Sequence, residues 1–158
     1  MRLAGVVSAW SIPVQRVPAT PAVVPTTVEE LLAAARVTLR RLAPAEAHVA
    51  MRAGAQLVDI RSDSQRTADG TIPGAAFVPR NVLEWRLDPA CAHRDDQLTT
   101  GNGLLVLICD EGYQSSLAAA SVQRFGQRPV TDVIGGFRAW RAEGLPVERG
   151  DVTSTTGS

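Results

Sequence analysis

The chain has 158 residues, 45% hydrophobic and 20% charged, with a formal net charge of zero, which predicts one globular domain and neither a nucleic-acid nor a membrane-surface binder. Its 16 basic residues are all arginine, which excludes a phosphate-loop lysine and Schiff-base chemistry. Two cysteines, no membrane-length apolar run and no convincing secretory signal predict a reduced, cytoplasmic protein.

Residues 1–25 carry Pro13, Pro18, Pro21 and Pro25 without a helical or strand period, and read as a flexible tail. Thr27 and Glu30 are spaced as a capping box. They open an extra N-terminal helix within 26–43, with Leu31, Leu32, Ala35 and Leu39 on one face. Pro44 starts a second helix, 45–52, closed by Gly54. The run 56–60 is a short apolar strand, 64–68 one helical turn, 70–75 a turn and 76–78 a second strand. A helical stretch begins at Asn81 and carries Val82, Leu83 and Trp85, and residues 88–103 are mostly loop. The apolar run 104–108 is a buried strand, and a small-residue helix follows at 115–122, with Gly126 as its C-cap. A last strand, 130–134, runs into Gly135 and Gly136 and a closing helix, 137–143; residues 149–158 read as a second flexible tail.

Short apolar strands alternating with helices predict an α/β fold, a mainly parallel central sheet flanked by helices on both faces. Ligands then bind beyond the carboxyl ends of the strands. Cys109 stands at that end of the 104–108 strand, one short loop before a helix N-terminus. Loop N–H groups and the helix's positive end favour an anion on such a sulfur, so Cys109 is the candidate nucleophile. The competing reading is a buried structural thiol.

Four segments, in order, resemble the rhodanese (sulfurtransferase) family over roughly residues 44–148. Leu57-Val58-Asp59-Ile60-Arg61 is similar to the family's first strand, and Gly70-Thr71-Ile72-Pro73-Gly74-Ala75 to its Gly-His-Ile-Pro-Gly-Ala turn, with Thr71 replacing the histidine. Cys109 to Ser115 matches its active-site loop, and Gly135-Gly136-Phe137-Arg138-Ala139-Trp140 with Gly144-Leu145-Pro146-Val147 its C-terminal signature. The resemblance implies a rhodanese-like fold and a sulfurtransferase. Cys109 would carry sulfane sulfur as a persulfide from thiosulfate, or from a protein or small persulfide, to a thiophilic acceptor. Asp110, Glu111, Gly112, Tyr113, Gln114 and Ser115 would form the loop around it. It implies no cofactor.

Asp110 and Gln114 stand where active members often have arginine, so an acidic, arginine-free loop is expected to oppose the thiolate and disfavour dianionic thiosulfate. The same departure keeps open a non-catalytic binding or redox-sensing module. Phosphatase relatives have a longer loop with arginine six residues after the cysteine; Ser115 stands there. Asp59 and Arg61 are expected to support the sheet edge. Arg80 or Arg86 is a candidate to reach the pocket, against the simpler reading of solvated arginines. Trp85 and Trp140 read as core aromatics. Cys91, His48 and His93 make no zinc spacing, and no metal site is expected.

Overall fold

The computed structural model describes Val24 and residues 26–150, so both expected tails lie largely outside the described residues. The elements are α1 (Val28–Arg36), α2 (Pro44–Arg52), β1 (Gln56–Asp59), α3 (Asp63–Asp69), β2 (Ala76–Phe77) and a 3₁₀ turn (Arg80–Val82). They continue through α4 (Leu83–Leu87), α5 (Asp96–Thr99), β3 (Leu105–Ile108), α6 (Gln114–Gln123), β4 (Val130–Asp132) and α7 (Gly136–Ala142).

The four strands form one parallel sheet in the order β2-β1-β3-β4. Helices cover both faces, so a strand's alternate side chains enter two different cores. Leu105 and Leu107 of β3 join Leu83, Ala118 and Val122 on one face; Val106 and Ile108 join Ala47, Phe137 and Trp140 on the other. Trp140 is fully buried and donates its indole N–H to Pro146 O at 3.0 Å. Trp85 does not join either core: it is 57% exposed. Among the described residues no helix is long and apolar enough to cross a membrane.

The N-terminal helix is shorter than its apolar spacing implies. The Thr27–Glu30 capping box is formed, yet the helix ends at Arg36 and none of its residues is buried. Val37 keeps helical angles (φ −55°, ψ −37°), but its amide turns back to Ala34 O in a tightened last turn, and the following segment is drawn along β4. Leu42 bridges Val133 in parallel, its amide donating to Asp132 O and its carbonyl accepting from Ile134 N. Thr131 Oγ1 donates to Arg40 O at 2.8 Å. Leu39 therefore reaches the core from an extended strap and not from the helix.

Candidate active site around Cys109

Cys109 follows directly on β3 at the sheet's carboxyl edge. Tyr113, the residue before α6, supplies no side-chain cap to that helix, and the sulfur takes that place. The amides of Gly112 and Ser115 donate to Cys109 Sγ at 3.1 and 3.4 Å. Two N–H groups and the positive end of a ten-residue helix thus converge on one atom. Cys109 is 4% exposed, at the floor of an open hollow of about 360 Å³.

The loop holds this shape because glycines let two backbones meet. Gly112 has φ +82°, and a Cβ there would lie 2.6 Å from Gly135 N. A Cβ on Gly136 would lie 2.5 Å from Cys109 O. Neither position admits a side chain without movement. The amides of Phe137 and Arg138 bind the carbonyls of Cys109 and Asp110 at 2.8 and 3.0 Å. The double glycine and the cysteine loop are one packed unit.

A buried polar network lies behind the sulfur. The Cys109 thiol donates to Ser115 Oγ at 3.3 Å, and Ser115 Oγ donates to Asp132 Oδ2 at 2.8 Å. Asp132 is fully buried, accepts from Ser116 Oγ at 2.8 Å, and pairs with Arg41 through Nε–Oδ1 at 2.8 Å and Nη2–Oδ2 at 3.1 Å. A buried carboxylate demands this many partners.

The hollow is walled by Arg61, Gln65, Asp110, Glu111, Tyr113, Gln114 and Arg138. Asp59 grips Arg61, with Nη2–Oδ2 at 2.7 Å, and Arg61 Nη2 also reaches Gly70 O at 2.8 Å. The guanidinium lies 3.6 Å from the Phe137 ring centroid, and Arg61 Nη1 is buried without a hydrogen-bond partner. Arg138 pairs with both loop acids, Nε–Asp110 Oδ2 at 2.8 Å and Nη1–Glu111 Oε1 at 2.8 Å. Asp110's hydrogen bond, then the charges of Asp110 and Glu111, push this guanidinium above its ordinary pKa. α7 brings one cation to the two loop acids, so the loop's negative charge is offset in part and not removed.

Arg80 and Arg86 do not line this hollow. Arg80 pairs with Glu84 at 2.8 Å, and Arg86 donates to His93 O at 3.0 Å beside exposed Trp85. Cys91 accepts from His93 N at 3.4 Å in its own loop. Among the described residues no cluster of His, Cys, Asp or Glu could hold a metal. Sequence reasoning passed over Arg138, Gln65, Asp132, Arg36 and Arg41. Only Arg138 carried a signal, inside the Gly-Gly-Phe-Arg segment that abuts the cysteine loop.

The family model described as the rhodanese-like domain matches residues 43–143. The chain belongs to the rhodanese-like family. It is 34% identical over 105 residues to the thiosulfate sulfurtransferase GlpE of Pseudomonas aeruginosa, covering 66% of this chain and 86% of the relative. It is 32% identical over 91 residues to a sulfurtransferase of Allochromatium vinosum, covering 58% and 76%. Among solved structures, a Rhodopseudomonas palustris protein of unknown function, described as a "possible tyrosine phosphatase", is 31% identical with a TM-score of 0.74. That alignment covers 82% of this chain and 99% of the other. The rhodanese-like domain begins one residue before α2, so α1 and the strap lie outside the family match.

Proposed function

We propose that this rhodanese-like protein is a sulfurtransferase that carries sulfane sulfur on Cys109. The observation that carries this reading is the pair of amides, Gly112 and Ser115, aimed at one sulfur at the floor of an open hollow. Such a cradle stabilises negative charge on the attacking thiolate and later on the terminal sulfur of a persulfide. The thiolate attacks the outer sulfur of the donor, the new S–S bond forms, and the donor's own S–S bond breaks; with thiosulfate, sulfite leaves with the electron pair. An acceptor nucleophile then takes the terminal sulfur and returns Cys109 as thiolate. The terminal sulfur would project into the space between Arg61 and Arg138. A protein persulfide or a small persulfide serves as donor by the same steps.

Phosphoryl transfer is a weaker reading, because Ser115 and not arginine stands sixth after Cys109. The test is intact-mass spectrometry after incubation with thiosulfate. A gain of one sulfur that a reductant removes, absent from Cys109→Ser, is expected, with the variant still folded. No adduct, together with ready glutathionylation of Cys109, would overturn the reading in favour of a redox-sensing module.

A further inference from the structure

The cysteine loop itself holds no arginine, but two reach it from outside the rhodanese-like domain. Arg36, in the last turn of α1, donates through Nη2 to Gly112 O at 2.9 Å and through Nε to Ser116 Oγ at 3.1 Å. Arg41, in the strap, donates through Nη2 to the same Gly112 carbonyl at 2.9 Å. Gly112 is the residue whose amide points at the sulfur. Two guanidinium groups thus clamp the far side of the sulfur cradle. Their charges differ in effect. Asp132 neutralises Arg41 at 2.8 Å, whereas no carboxylate pairs with Arg36 among the described residues. Its other neighbour is the Tyr113 ring, 5.9 Å away.

We propose that Arg36 supplies the positive charge the loop lacks and, with Arg41, positions Gly112, making the segment 28–41 a functional part of the site. The inference rests on Cys109 being the reactive sulfur, as the proposed function has it, but its test does not require sulfur transfer. Alkylation of Cys109 is followed by peptide mass spectrometry with two reagents, anionic iodoacetate and neutral iodoacetamide. A net cation within about one Debye length of the sulfur favours the anionic reagent. Arg36→Gln is expected to lower the iodoacetate rate about threefold more than the iodoacetamide rate. Arg36→Lys keeps the ratio while slowing both, because an ammonium lacks the fork that spans Gly112 O and Ser116 Oγ. Thr38→Ala, which removes the side-chain bond from the strap to Gln123 without changing charge, leaves the ratio unaltered.

An equal fall with both reagents in Arg36→Gln, or the same ratio change in Thr38→Ala, overturns the proposal. Should Arg36→Gln fail to fold, Arg36→Met carries the same comparison; failure of both to fold makes Arg36 a structural residue and overturns it too. Persulfide formation without any Arg36 effect on the ratio would leave the proposed function standing and this inference refuted.

Discussion

The hydroxyl of Ser115 is committed to Asp132: its Oγ donates to Oδ2 at 2.8 Å while accepting from the Cys109 thiol. The carboxylate thereby fixes which way the hydroxyl beside the sulfur points, and Arg41 pairs with that buried carboxylate at 2.8 Å. Removing Arg41 leaves Asp132 buried without its cation, and removing Asp132 leaves Arg41 only the Gly112 carbonyl and strands the Ser115 and Ser116 hydroxyls. Asp132→Ala is expected to cost about 3–5 kcal/mol of stability, the range for breaking a buried ion pair from one side. Removing both partners should cost less than the sum of the two single changes. Urea unfolding of Asp132→Ala, Arg41→Ala and the double variant reads this directly. A loss under about 1 kcal/mol for Asp132→Ala would mean the pair contributes no more than an exposed one.

The cap that starts α1 titrates. Glu30 accepts from the Thr27 amide and the Thr26 hydroxyl, both at 2.8 Å. The Thr27 amide first, then Thr26, hold its pKa below the usual 4.5. A carboxyl lowered in the folded state contributes stability above its unfolded value and loses it as pH falls through the folded value. The α1 cap should therefore be intact above pH 4.5 and loosen on acidification below it. The Ser62–Gln65 box of α3 holds no such group and should stay. NMR titration of the Thr27 and Gln65 amides separates the two: Thr27 should move with acid and Gln65 should not. Glu30→Gln should remove the acid response; a Thr27 amide that does not move in the wild type would contradict the assignment.

The sequence made local chemistry legible and left long-range chemistry hidden. Period and punctuation placed the strand before Cys109, the helix after it, the Thr27–Glu30 box and the Pro44 start within a residue or two, because each depends on neighbours a few positions apart. Arg36 and Ser116 meet across 80 residues, and Arg41 and Asp132 across 91. Nothing in one sequence says which of many arginines finds which carboxylate. Leu39 misled for the same reason: its spacing fits a helix, but the strap's pairing with Val133 pulls the chain straight. Trp85 misled because an apolar period marks a face and not what covers it.

Arg138 decides what the hollow accepts. Its guanidinium holds Asp110 and Glu111 at 2.8 Å each while remaining 63% exposed at the hollow's wall. Arg138→Ala removes that cation and bares two carboxylates to an incoming dianion. About tenfold in rate is the scale of one screened charge contact near a surface. Thiosulfate kcat/KM should fall by that order, while a weakly charged persulfide donor loses little and the unfolding midpoint stays close to the wild type's. Gln114→Arg should act oppositely, since Gln114 lines the same hollow and an arginine there adds a cation no acid already holds. Asp110→Arg should gain less, because the new guanidinium would face Arg138 in place of its partner. Parallel losses on both donors in Arg138→Ala would mean that the arginine shapes the loop and does not select the donor by charge.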